Sequence, residues 1–232
     1  VVQFRSPTGS WTTYADGVST ATSATVDGLT RGLPYNFRVA AKNLIGSGEF
    51  ALLDPLTGIS LGRHSCGITS QQKVVCWGLN TVGQLGVAPS DVRYQQMEVP
   101  GVSGVVQLEV GLNHTCAVLS NGTVKCWGGN ESGQLGNGTT ATWSTPVQVS
   151  GLSDVLQVTS GFKFSCARKS DGTVYCWGLN DKSQLGNSPS TSNSSTAIQV
   201  VNATNATTID AGRTFACALL PTQKVRCWGD QY

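Results

Sequence analysis

Charge and long apolar runs are what this sequence has least of. Of its 232 residues, 15 are Lys or Arg and 13 are Asp or Glu, a net charge of +2. No basic cluster interrupts the chain, so neither nucleic acid nor an anionic membrane is an expected partner. No run of about 18 apolar residues marks a spanning helix, and no charged-then-apolar leader opens the chain. Helical periodicity is missing too. Short alternating runs bounded by Gly, Asn, Asp and Pro fill the sequence instead, which predicts an all-β, turn-rich protein.

Catalytic patterns are equally scarce. Carboxylates stand singly, as at Asp91, Glu98, Glu109, Glu131, Asp154 and Asp181, and supply no acid/base pair. His64 and His114 have no nucleophile-elbow serine beside them, and "GSG" at 46–48 lacks the lysine of a phosphate-binding loop. The expectation is that these residues form no enzyme and hold no cofactor.

What the sequence does have is a repeat. "HSCGITSQQKVVCWGLNTVGQLG" at 64–86 returns as "HTCAVLSNGTVKCWGGNESGQLG" at 114–136 and "FSCARKSDGTVYCWGLNDKSQLG" at 164–186, with a shorter "FACALLPTQKVRCWGD" at 215–230. The first cysteines fall at 66, 116, 166 and 217, spaced by 50, 50 and 51 residues. A period of that length is one supersecondary unit that stacks on its neighbours.

The cysteine spacing has a geometric reading. Residues opposed in an antiparallel hairpin have a constant index sum, so pairing Cys116 with Cys126 centres the loop on Ser120-Asn121-Gly122. That loop wants a left-handed glycine after a type I turn, supplied by Gly122 and Gly172. Cys66 with Cys76, Cys166 with Cys176, and Cys217 with Cys227 share the spacing. Directly opposed residues can approach to about 4.5 Å between Cα atoms, within reach of a disulfide. Four disulfides, one inside each hairpin, are predicted. Metal binding is disfavoured because no Cys-x-x-Cys occurs and the histidines before Cys66 and Cys116 become Phe164 and Phe215 in the other copies. Disulfides imply an oxidising compartment, hence a secreted or extracellular location.

With Gly62, Gly111, Gly161 and Gly212 before each hairpin, Trp77, Trp127, Trp177 and Trp228 at its close, and "QLG" at 84–86, 134–136 and 184–186, residues 54–232 resemble the regulator of chromosome condensation repeat. In that family the repeat forms four-stranded blades of a seven-bladed β-propeller. The resemblance implies about four blades here, the last truncated, with strands near 105–110, 114–119, 123–127 and 146–149 in one copy. The cysteine pairs are similar to those of secreted and receptor branches, including the crinkly repeats of plant receptor kinases. Residues 1–53 resemble the C-terminal half of a fibronectin type III sandwich, with Trp11 on an early strand and Tyr35 at the tyrosine corner. The expected fold is therefore all-β, a partial β-propeller of four-stranded blades preceded by a partial fibronectin type III β-sandwich, and the chain reads as a fragment cut at both ends.

These readings point to an extracellular or cell-surface module that binds a protein or glycan. The segments after each "QLG", at 87–98, 137–145 and 187–197, differ most between copies and are the expected binding loops, with Arg93, Tyr94 and Trp143 as anchors. Sequons at Asn130, Asn193, Asn202 and Asn205 are candidate glycosylation sites. Two other functions fit the resemblance. One is guanine-nucleotide exchange on a small GTPase; the other is a non-catalytic ectodomain of a larger receptor kinase or enzyme.

Overall fold

The computed structural model describes residues 56–230, apart from 188 and 189, and six short strands before them. Two compact units are present, Val1–Leu56 and Thr57–Tyr232. The first contains β1 (Val2–Arg5), β2 (Thr12–Tyr14), β3 (Asn36–Val39), β4 (Lys42–Asn43), β5 (Gly46–Ser47) and β6 (Ala51–Leu52). Four of these make a sheet in the order β2-β1-β3-β6, and β4 pairs with β5. Trp11 and Tyr35 lie outside the described residues.

The second unit is a succession of antiparallel meanders, each strand beside the next in sequence. β7 (Leu56–Leu61), β8 (His64–Thr69), β9 (Val74–Asn80) and β10 (Ser90–Glu98) form the first blade. β11 (Val105–Val110), β12 (His114–Leu119), β13 (Val124–Gly128) and β14 (Trp143–Gln148) form the second. The third contains β15 (Val155–Ser160), β16 (Phe164–Lys169), β17 (Val174–Gly178) and β18 (Ser194–Gln199). The fourth has β19 (Thr208–Ala211), β20 (Phe215–Leu219) and β21 (Val225–Gly229). No helix occurs among the described residues.

Each hairpin closes around its cysteines. Cys116 faces Cys126 across β12 and β13, and the loop between them turns on Gly122 at φ +76°. Disulfides join 66–76, 116–126, 166–176 and 217–227, with Cα separations of 4.0 to 4.1 Å. The left-handed glycine is not universal: Gln72 and Gln223 occupy the same loop position at φ 58° and 63°.

Burial lies between blades rather than within them. Cys126 and Trp127 are sequence neighbours on one strand, so their side chains leave opposite faces of the sheet. The indole joins Cys66, Ile68, Val74 and Leu85 of the first blade in one core, while the disulfide joins Val155, Val158 and Trp177 of the third in the next. A third core unites Phe164, Cys166 and Leu185 with Ile209, Ala218 and Trp228. The "CW" pairs at 126–127 and 176–177 thus place sulfur in one interblade layer and indole in the other, and stacking makes the core that one sheet alone cannot.

One expectation needs correction. The segments 87–98, 137–145 and 187–197 are not simply loops: Ser90–Glu98 is the outermost strand of its blade, and β14 and β18 begin inside the other two segments. Outer strands are wet on both faces, so Ser90–Glu98 carries no apolar alternation to announce it.

Candidate functional site

The blade boundaries are held by a recurring set of polar contacts. Thr115 and Trp127 stand opposite each other on β12 and β13. Both reach back to the first blade, where the Gln84 carbonyl accepts from Thr115 Oγ1 and from Trp127 Nε1, each at 3.0 Å. Because Thr115 spends its one proton there, its oxygen accepts from the Nε2–H of His64 at 2.7 Å. That leaves Nδ1 of His64 as a bare, buried lone pair. Trp177 repeats the contact to the Gln134 carbonyl at 2.9 Å and Trp228 to that of Gln184 at 3.0 Å. Burial lowers the pKa of His64 to about 4. It lowers that of His114 to about 3, helped by the proximity of His64 and opposed by Glu131.

The turn that presents these carbonyls is itself built from side chains. Asn130 Oδ1 accepts from the Leu135 amide at 2.9 Å, and its Nδ2 donates to the carbonyls of Thr139 and Ala141 at 2.9 and 2.8 Å. Asn80 and Asn180 do the same for Leu85 and Leu185. Asn130 is fully enclosed, and an Nδ2 committed to two carbonyls in the interior has no room for a glycan, which corrects its expected role. Asn193, Asn202 and Asn205 are exposed.

The inner strands are stitched by two glutamines that sequence reasoning passed over. Gln107 Nε2 donates to the Val158 carbonyl at 2.9 Å, and Gln107 Oε1 accepts from the Val158 amide at 2.8 Å. Gln157 clamps Ile209 the same way, at 2.8 and 3.0 Å. A primary amide here imitates one residue of a neighbouring strand. The available signal was the recurrence of Gln in "VVQLEV" and "VLQVTS".

At the same end of the sheets as the "QLG" turns, the short connections from each blade's first strand to its second line a cavity of about 520 Å³. Arg63, Leu112, Phe162 and Arg213 contribute to it, one from each blade. Gly111 must lack a side chain there because a Cβ would meet the ring of His114. Arg213 lies over the Phe162 ring, 4.7 Å from its centroid, and Lys163 Nζ pairs with Glu131 at 2.9 Å.

The three expected anchors stand on outer strands. Tyr94 is 89% exposed and Trp143 42%. Exposed Arg93 donates from Nε to Ser90 Oγ at 2.9 Å. No group of three or more metal-ligating side chains occurs among the described residues.

Models of the Regulator of chromosome condensation (RCC1) repeat match residues 62–84, 105–134 and 155–184 in one form and 121–168 and 171–219 in another, together more than half of the chain. The chain belongs to the RCC1-repeat family. Yeast RCC1 (Prp20), solved bound to Kap60, superposes with TM-score 0.69 at 17% identity, over 84% of this chain and 52% of that one. Human WBSCR16 gives 0.69 at 21%, over 84% and 56%. The ectodomain of the Physcomitrella patens receptor kinase CR4 gives 0.52 at 26%, over 78% and 42%. This RCC1-repeat chain thus spans about half the length of the solved chains it matches. Comparison with curated proteins returns no match.

Proposed function

We propose that this RCC1-repeat chain is an extracellular or cell-surface module that binds a protein and catalyses nothing itself. One observation carries the reading: all eight cysteines are paired, each pair inside one blade. Thiols in a reducing compartment would not stay so paired. The likeness to a receptor-kinase ectodomain supports the same location. Yeast RCC1, which shares the fold, is solved bound to a protein, Kap60, which supports a protein as the ligand class. Guanine-nucleotide exchange has less support, since stapled blades and an intracellular GTPase belong to different compartments.

Within this proposal the first unit serves as a spacer, the C-terminal half of a fibronectin type III domain, supported by its antiparallel β2-β1-β3-β6 sheet. Arg93, Tyr94 and Trp143 act as contact residues on the outer strands, and Asn193, Asn202 and Asn205 carry glycans where the source organism attaches them.

The test is a binding screen of the disulfide-intact chain against secreted and cell-surface ectodomains from its own source. It is run beside a chain whose 87–98, 137–145 and 187–197 segments are exchanged among blades. Loss of a specific partner on exchange supports the reading, and unchanged binding removes those segments. Free thiols in the naturally produced protein would overturn the extracellular assignment.

A further inference from the structure

We propose that the mouth lined by Arg63, Leu112, Phe162 and Arg213 docks an acidic peptide segment that carries an apolar side chain between its carboxylates. The inference rests on the binding-module reading and names the place and chemistry of the contact.

Four blades present a short glycine-led connection at this mouth, one residue shorter in the first blade than in the others. Gly111, Gly161 and Gly212 stand three residues before a His or Phe ring, whereas Gly62 stands two before His64, so the Arg63 carbonyl accepts from Leu79 as those of Asn113, Lys163 and Thr214 accept from Gly129, Leu179 and Asp230. The shorter first connection brings Arg63 to the mouth beside Leu112, Phe162 and Arg213, which follow their glycines directly. Two cations therefore flank two apolar side chains. Leu61 and Val110 also line the mouth, and at about 520 Å³ the open cavity suits a few side chains of a larger ligand.

The charges are available. Among the described ion pairs, Lys163 is committed to Glu131, but neither Arg63 nor Arg213 is used. The Arg213 guanidinium lies over the Phe162 ring, 4.7 Å from its centroid, a cation–π contact compatible with its N–H fork also meeting a carboxylate. The nearby acids on the inner strands are already engaged. Glu109 accepts from Ser60 Oγ at 2.9 Å and from Gln107, and Asp210 accepts from the Ala211 amide at 2.9 Å. Ser160 adds a buried hydroxyl with no hydrogen-bond partner among the described residues, in the wall of the same cavity. The connections are also tied to one another, Leu112 N–H to the Phe162 carbonyl and Phe162 N–H to that of Arg213. A site ordered before the ligand arrives spends less on binding.

The test uses fluorescence anisotropy of the whole, disulfide-intact chain with a labelled Glu-Asp-Leu-Asp-Glu peptide. Its Gln-Asn-Leu-Asn-Gln analogue and a tetragalacturonate competitor run alongside. Arg63→Gln combined with Arg213→Gln removes the two exposed cations, and thermal melting checks that the variant is folded. Lys73→Gln combined with Lys224→Gln, in the hairpin connections at the opposite end of the first and fourth blades, removes the same two charges and controls for net charge. The expected result is saturable binding of the acidic peptide that weakens at 0.5 M salt and falls by about tenfold or more in the Arg63→Gln, Arg213→Gln variant, with little change in the Lys73→Gln, Lys224→Gln control. Equal binding of the neutral analogue, unchanged binding by the folded arginine double variant, or no saturable binding overturns the proposal. Tighter binding of tetragalacturonate than of the peptide overturns the partner class. A partner from the ectodomain screen that binds parent and arginine double variant alike would leave the module reading intact and remove this site.

Discussion

His114 Nε2 lies 2.9 Å from Ser165 Oγ, across the boundary between the second and third blades. One boundary earlier, His64 meets Thr115 at 2.7 Å; one boundary later, Phe164 and Ala216 share an apolar core. The two positions change together, hydroxyl with histidine and methyl with phenyl. Each boundary thus partners its own buried hydroxyl, while Nδ1 of His64 and of His114 stays without a partner.

The histidines make stability depend on acid. Both folded pKa values, about 4 for His64 and about 3 for His114, lie below the ordinary 6.5. The unfolded chain therefore takes up protons first, and the contribution is whole above about pH 6.5 and lost as pH falls toward those values. Each histidine accounts for up to about 2 kcal/mol over the two pH units below 6.5. Replacing His114→Phe together with Ser165→Ala copies the third boundary into the second. The difference in Tm between pH 6.5 and 4.5 is expected to shrink in the double variant, and thermal melts at both pH values read it. An unchanged slope would mean that His114 does not titrate across this window.

The indole contacts differ in how replaceable they are. Gln84 O retains the Thr115 hydroxyl at 3.0 Å if Trp127 is changed, whereas Gln134 O keeps only Ser165 at 3.4 Å if Trp177 is changed. Trp177→Phe is expected to cost about 1 kcal/mol more than Trp127→Phe, the difference between a satisfied and a poorly satisfied buried carbonyl. Urea titrations of the two variants give the comparison directly.

Reduction should distinguish the disulfides. Six cysteines are wholly buried in interblade cores, while Cys217 is half-buried and Cys227 exposed. Brief treatment of the folded chain with a phosphine, followed by alkylation and peptide mass analysis, is expected to label Cys217 and Cys227 well before the rest. Removing an enclosed pair, Cys116→Ala with Cys126→Ala, should cost about 2 to 3 kcal/mol, near the lower part of the usual range because the hairpin already closes the loop.

The hairpins were legible because their determinants are local: a cysteine spacing of ten and a turn that fits inside it. The blade boundaries were not, because their partners lie from 31 to 52 residues apart and include backbone carbonyls without sequence identity. Gln107 shows this well, since its two bonds go to the amide and carbonyl of Val158, which any residue there would offer. Asn130 shows another limit. Its sequon suggested the surface, yet the five-residue step to Leu135, repeated from Asn80 to Leu85 and Asn180 to Leu185, marked an inward turn. Outer strands such as Ser90–Glu98 hid because solvent on both faces leaves no apolar pattern.

The hairpin loops supply a prediction with opposite signs at equivalent positions. Gly122 and Gln72 both hold the left-handed residue, at φ +76° and 58°. A Cβ on Gly122 would be strained by its backbone and would approach Asp154 backbone atoms to 3.0 Å, so Gly122→Ala should destabilise by about 1 to 2 kcal/mol. Gln72 is exposed and already accepts that strain, so Gln72→Gly relieves it while adding freedom to the unfolded chain. The two terms leave a net gain of up to about 1 kcal/mol. Chemical denaturation of both variants reads the pair of signs. Destabilisation by Gln72→Gly would show that backbone freedom in the unfolded state outweighs the turn strain at this position.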